Sequence, residues 1–263
     1  VESGITLVIG VGEVGGALTQ VLERGHHVAR LDLTPTKIDD PVRVMHICFP
    51  FNSRRQFESA VRAYIRRFHP QLTVINSTVL PNTTRNLAKA TGARIAYSPV
   101  RGKHARMTEE LLHYAKFVSS TDPAAAAMAS EHFTAAGMKT RLIEIPETLE
   151  LAKLAETTYF GVIIAFAQQL NRYARTIGAN YEEATGFFEE VEFLPHAKYY
   201  PGFIGGHCVI PNINLLLQLS PAPLLQAVLK SNDSRAAEIQ SEVVGDRAVS
   251  TDAGATLAAT ESE

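Results

Sequence analysis

Gly10-Val11-Gly12-Glu13-Val14-Gly15 forms a GxGxxG. It follows the apolar run of residues 5–10 and precedes Val14, Ala17, Leu18, Val21 and Leu22 at helical spacing, which puts it at a strand-to-helix turn. The first two glycines allow a tight turn and close backbone approach to a pyrophosphate, whose charge lies at the helix N-terminus. Asp32 ends the next strand, 22 residues after Gly10. A carboxylate there accepts hydrogen bonds from both ribose hydroxyls of NAD and repels the 2′-phosphate of NADP. Gly10, Gly12, Glu13, Val14, Gly15 and Asp32 are therefore expected to bind NAD; the alternative is a glycine-rich turn that has lost its cofactor. Arg30 shares the strand but alternates to its other face.

Four more constellations carry chemistry. Gly202-Phe203-Ile204-Gly205-Gly206-His207-Cys208 places one cysteine in a glycine-rich loop before a helix. Backbone N–H groups and a helix N-terminus can lower a thiol pKa there, and a buried structural cysteine is the alternative. Cys48, within an apolar strand, is that inert case. Glu150, Lys153 and Thr157, spaced by three and four, share one helix face. Asn76-Ser77-Thr78 follows a strand, at the carboxyl edge where ligands of such sheets bind. Ser98-Pro99-Val100-Arg101-Gly102-Lys103-His104 also follows a strand, and Arg101, Lys103 and His104 could hold a phosphate or carboxylate; a solvated loop is the alternative.

These residues need a scaffold, and strand and helix signals alternate through the first half. Strands are expected at 27–33, 42–49, 72–75, 94–97 and 116–119, with helices at 55–67, 83–90 and 123–136 between them. That alternation calls for a Rossmann-type doubly wound parallel sheet with right-handed crossovers. After Pro146 the pattern changes. Residues 147–177 predict one helix, about 45 Å long, stopped by Gly178. Asn180 can cap a helix over 181–190, a Pro/Gly-rich loop spans 195–211, and an apolar helix runs from 213 to about 229. The expected organisation is an α/β NAD domain (1–146), an all-α domain (147–236) and a disordered tail (237–263).

With 263 residues, 46% hydrophobic and 20% charged, the chain can bury a real core and is too apolar for disorder. A net charge of −2 gives none of the basic footprint of a nucleic-acid binder. No apolar stretch is long enough to span a bilayer, and no basic leader precedes the first strand. Two cysteines exclude a disulfide framework and a Cys-rich zinc site, so no metal is expected. The expectation is a cytoplasmic protein.

In order, GxGxVG, Ile47-Cys48-Phe49-Pro50, Ser77-Thr78-Val79, Tyr97-Ser98-Pro99, Glu150-Leu151-Ala152-Lys153-Leu154 and Gly205-Gly206-His207-Cys208 resemble the UDP-glucose/GDP-mannose dehydrogenase family over residues 5–220. The resemblance implies that Cys208 attacks an aldehyde formed from a sugar primary alcohol. The resulting thiohemiacetal is oxidised to a thioester and hydrolysed, with two NAD reduced per carboxylate. It implies that Lys153 stabilises oxyanion character, a sensible task for a fixed ammonium, and that Thr78 places the catalytic water or the cofactor. It adds Pro50, Ser77 and Thr78 to the cofactor residues, and Lys153, Gly205 and His207 to Arg101, Lys103 and His104 as substrate residues. It also implies a homodimer through the 147–177 helix.

The chain departs from the family pattern where Thr157 replaces an Asn, Asn212 an Asp and Val100 a Glu. The nucleotide-binding domain that follows the long helix in full-length members is expected to be missing. The leading expectation is NAD-dependent oxidation of an alcohol of a sugar nucleotide, nucleoside or related sugar, with Cys208, Lys153, Thr78, Thr157 and Asn212 at the reacting centre. The alternatives are a two-electron or redox-neutral oxidoreductase, and an NAD-binding scaffold without catalysis.

Overall fold

The computed structural model describes residues 4–33, 37–101, 106–192 and 199–258, without the side chains of 189 and 243–258. Lys103 and His104 lie outside these residues. The chain divides into two compact units, Val1–Ala155 and Glu156–Glu263.

The first unit is a seven-stranded sheet in the order β2-β1-β3-β4-β5-β6-β7. Its strands are β1 (Ile5–Ile9), β2 (Val28–Leu31), β3 (Val42–Ile47), β4 (Leu72–Ile75), β5 (Ile95–Tyr97), β6 (Lys116–Ser120) and β7 (Thr140–Ile143). Neighbours pair in parallel except β5 and β6, which run antiparallel, one reversal in the expected parallel sheet. β1, β4 and β5 are buried throughout, as strands covered on both faces must be. Helices α1 (Glu13–Leu22), α4 (Met107–His113) and α5 (Pro123–Ala135) enclose one core with Val8, Val44, Val74 and Val118. Helices α2 (Arg54–Phe68) and α3 (Thr83–Thr91) enclose the other with Leu7, Met45, Ile75 and Tyr97. α4 fills a stretch to which the sequence reading assigned no element.

The long helix α6 runs Pro146–Ile177, as its unbroken pattern predicts, yet the unit boundary falls inside it rather than at residue 146. The cause is packing. Leu149 joins the core of Ile75 and Tyr97, and Glu150 holds the start of α3, so the first turns of α6 belong to the sheet unit.

The second unit continues with α7 (Tyr181–Gly186), a 3-10 turn (Phe187–Glu190), α8 (Val209–Leu219) and α9 (Pro223–Ala258). The Asn180 side chain caps α7 through Glu182 and Glu183 N–H, as expected. The single helix expected over 213–229 is two helices. Ser220 is extended (φ −161°, ψ 145°), the conformation favoured before a proline, and Pro221 cannot continue α8. Pro211 sits in the first turn of α8, where its missing N–H costs nothing. α9 is helical through 237–258, where the sequence reading placed a disordered tail; its Ala, Glu and Arg residues carry high helix propensity. Ala165, Ile204, Val209, Ile213, Leu225 and Val228 form this unit's core. Gly161 lets α6 and α8 approach, since a Cβ there would lie 2.7 Å from Val209 Cγ1. No helix among the described residues is long and apolar enough to cross a membrane.

Candidate functional site

The glycine turn has the shape the motif requires. Gly10 has φ +87°, and a Cβ there would lie 2.8 Å from Phe49 N. A Cβ on Gly15 would lie 1.8 Å from Gly10 O, so the third glycine sets how closely α1 meets the turn. Gly12 precedes α1, and a Cβ there would meet no atom within 4 Å. The open N-terminal face of α1 is therefore free for an anion. Glu13 is exposed in the first turn, and Val14 packs against the core. The Asp32 carboxylate accepts from Val11 N–H at 2.9 Å and Leu33 N–H at 2.8 Å, which joins the end of β2 to the turn. Arg30 instead pairs with Glu23. The turn, the open helix end and the exposed carboxylate fit the pyrophosphate and ribose of NAD.

Farther along the carboxyl edge, Pro50 is exposed and Thr78 half-buried. Ser77 is buried, its hydroxyl donating to Phe49 O at 2.6 Å, so it fixes the segment leading to Pro50. Ser98 donates to Phe117 O at 2.7 Å. Val100 is a core residue, which explains why an apolar side chain follows Pro99. Arg101 donates to Ala115 O at 2.9 Å and stacks over Phe117, so its guanidinium is held against its own sheet.

Glu150, Lys153 and Thr157 all lie on the continuous helix α6, at the expected spacing of three and four. Glu150 is fully buried and accepts from Asn82 N–H (2.7 Å), Thr84 N–H (2.8 Å) and the Thr84 hydroxyl (2.7 Å). Asn82 has φ +75° and gives α3 no cap of its own, so Glu150 caps that helix from α6. Burial pushes Glu150 up to about 7, more than these donors pull it down. Lys153, one turn on, is half-buried. Thr157 falls in the second unit.

In the second unit, Cys208 is the half-buried N-cap of α8, after exposed Gly205, Gly206 and His207. Gly206 takes φ +75°, a left-handed turn that suits glycine. Four residues into the helix, Asn212 donates its side-chain amide to Thr157 Oγ1 at 2.7 Å. Two of the three residues that depart from the family pattern thus contact each other, as a neutral pair at the turn of helix that follows the thiol.

Sequence reasoning missed the residues that hold this loop. Asn232, buried on α9, accepts from Ile204 N–H at 2.7 Å and donates to Ile204 O at 3.1 Å. Gln168, buried on α6, donates to Gly202 O at 2.7 Å. The sequence marks neither one, since Asn232 lies in the polar run 230–235 and Gln168 is the first of two adjacent glutamines. Lys116 was also missed. It opens β6, fully enclosed, and donates to Ser98 O at 2.6 Å and Pro99 O at 3.0 Å. Cys48 is the unreactive thiol expected, pushed up to about 12 by burial.

Residues 147–234 match the sequence profile of the UDP-glucose/GDP-mannose dehydrogenase family, central domain. Through this segment the chain is similar to that family's central domain. It is 29% identical over 168 residues to a UDP-N-acetyl-D-mannosamine dehydrogenase of Methanocaldococcus jannaschii, covering 62% of this chain and 39% of that one. The corresponding Pyrococcus horikoshii protein is 30% identical over 158 residues, covering 56% and 37%. The chain thus spans about two fifths of the length of these curated relatives. The fold is that of the solved P. horikoshii UDP-D-ManNAc dehydrogenase (TM-score 0.76, 21% identity, 92% of this chain and 71% of that one). It is also that of Mycobacterium tuberculosis 3-hydroxyisobutyrate dehydrogenase (TM-score 0.67, 14% identity, 89% and 93%).

Proposed function

We propose that the chain is an NAD-dependent dehydrogenase that oxidises an alcohol of a sugar nucleotide. The observation that carries this reading is the Asp32 carboxylate tied to the Gly10–Gly15 turn beneath an open helix N-terminus. That arrangement suits NAD, and the family match and the names of the relatives supply the substrate class. When bound, NAD would supply the hydride acceptor for the carbinol carbon, the hydroxyl proton being released. The chain's own residues orient and stabilise. Asp32 takes the ribose hydroxyls, the N-terminus of α1 the pyrophosphate, and Pro50, Ser77 and Thr78 line the carboxyl edge. Lys153 stabilises developing oxyanion charge, and Cys208 traps the aldehyde as a thiohemiacetal. Arg101, Lys103, His104, Gly205 and His207 are the substrate-side candidates.

One observation favours stopping after two electrons. Thioester hydrolysis calls for a base to activate water, and the Asn212–Thr157 pair offers an amide and a hydroxyl where a carboxylate would be needed. For assembly, Tyr159, Phe166 and Tyr173 are exposed at seven-residue spacing on α6, the pattern of a helix-packing seam, and support a homodimer measurable by light scattering.

The test is NADH formation at 340 nm with UDP-N-acetylmannosamine, UDP-glucose and GDP-mannose, for wild type and Cys208→Ala. Two NADH per product, abolished in the variant, establishes the four-electron thioester route. One NADH with the variant still active establishes the two-electron reading. Silence on every sugar nucleotide, with NAD still bound, overturns the substrate class.

A further inference from the structure

A buried polar chain crosses the first unit behind the carboxyl edge of its sheet. The Lys116 ammonium directs its three N–H groups at Ser98 O (2.6 Å), Pro99 O (3.0 Å) and, at the limit of hydrogen bonding, Asn76 Oδ1 (3.5 Å). It lies 5.0 Å from the centre of the Phe133 ring, which favours a cation over its face. Asn76 donates to His46 Nδ1 at 3.1 Å, and His46 Nε2 meets His132 Nε2 at 3.0 Å. An amide at Asn76 and two neutral rings hold this order: His46 accepts at Nδ1, so its proton is on Nε2 and points to His132. Burial holds His46 well below the usual imidazole range and His132 down to about 3, so neither adds a charge at neutral pH.

Among the described residues, no carboxylate pairs with Lys116. The groups that face it are Cys48 after β3, Arg101 after β5 and Lys153 on α6, together with neutral His46 on β3 and the Phe133 ring on α5. Lys153 and Arg101 repel its charge, and burial with that repulsion brings the amine down to about 7. The location gives this charge a role. Asp32 and the glycine turn mark the adenosine and pyrophosphate positions over β2, β1 and α1. A dinucleotide across the switch point of such a sheet then places its other half over the carboxyl ends of β3, β4 and β5. Lys116 grips the ends of β4 and β5 from behind.

We propose that Lys116 is a positioning residue that biases the redox balance of the bound dinucleotide, its uncompensated buried ammonium disfavouring the cationic oxidised nicotinamide relative to the neutral reduced one. Gain of a hydride, one proton with two electrons and so one net negative charge, would neutralise that ring and cancel the repulsion. The bias thus favours oxidation of the alcohol. The inference rests on the NAD reading above.

The test measures Kd for NAD+ by calorimetry and for NADH by fluorescence, with wild type and Lys116→Met at pH 6 and pH 9. The expected ratio Kd(NAD+)/Kd(NADH) is higher for wild type at pH 6 by roughly tenfold, the scale of a partly screened interaction between two unit charges. In wild type it falls toward the variant's value by pH 9, and the variant is flat. Equal ratios at pH 6, with both dinucleotides bound, overturn the proposal and leave the cofactor reading standing. Failure of the wild type to bind either dinucleotide overturns both. Should the methionine variant not fold, the wild-type profile decides alone, and a ratio unchanged from pH 6 to pH 9 overturns the proposal.

Discussion

Glu150→Ala removes the carboxylate that caps α3 from α6. Asn82 N–H and Thr84 N–H, together with the Thr84 hydroxyl, then lose their acceptor. A buried donor left unsatisfied costs about 1–3 kcal/mol, and the buried Thr84 N–H and hydroxyl with the part-buried Asn82 N–H put the loss at about 3–5 kcal/mol. For a domain of this size that lowers Tm by roughly 6–20 °C, read by circular dichroism on the whole chain. The pH dependence gives a second readout. Burial raises Glu150 from 4.5 to about 7, so its contribution to stability is full below the unfolded value and is lost as pH rises through about 7. At about 1.4 kcal/mol per unit, the gap between wild type and variant narrows by at most about 3 kcal/mol from pH 5 to pH 8. A loss under about 1 kcal/mol at pH 5 would refute the capping role. A gap that widens with pH would show that the three donors outweigh burial.

Asp32→Ala removes the acceptor of Val11 N–H and, on the proposed reading, the ribose acceptor. NAD affinity is expected to fall about tenfold or more, with the preference over NADP reduced, because a charged hydrogen bond contributes about 1.5–3 kcal/mol; calorimetry with both dinucleotides measures it. Asn232→Ala frees Ile204 and with it the loop that leads to Cys208. Thiol labelling of Cys208 is expected to change rate severalfold while dinucleotide binding stays the same, and an unchanged rate would show that the loop holds without Asn232.

The sheet and the cofactor turn were legible because both rest on local rules. Apolar runs of strand length, helical periodicity and a glycine-rich turn each leave a mark within a few residues. Asp32 was legible because its distance from the turn follows from one strand–helix–strand unit. The single helix expected over 213–229 breaks at Ser220 for a local reason, Pro221, which the apolar pattern on either side masks. Elsewhere a distant partner decided. The boundary drawn at Pro146 missed the packing of Leu149 against Tyr97. Spacing puts Glu150 on one face of α6 with Lys153 and Thr157, as the structure has it. It gives no sign that α3, some 66 residues earlier, lacks a cap of its own.

Lys116, Asn232 and Gln168 share a different reason for being missed. Lys116 opens a strand, and Gln168 and Asn232 stand beside other polar residues on helices, and pattern reading treats such residues as exposed. Burial inverts that meaning, because a polar group withdrawn from water must be matched atom by atom. Asn232 can be enclosed because both its oxygen and its nitrogen find Ile204's backbone. Lys116 can be enclosed because carbonyl oxygens at the ends of β5 receive its protons. Those oxygens satisfy its hydrogen bonds but carry no full negative charge. The electrostatic cost of the ammonium therefore stays in the folded protein, at the edge of the sheet where a charged ligand would sit.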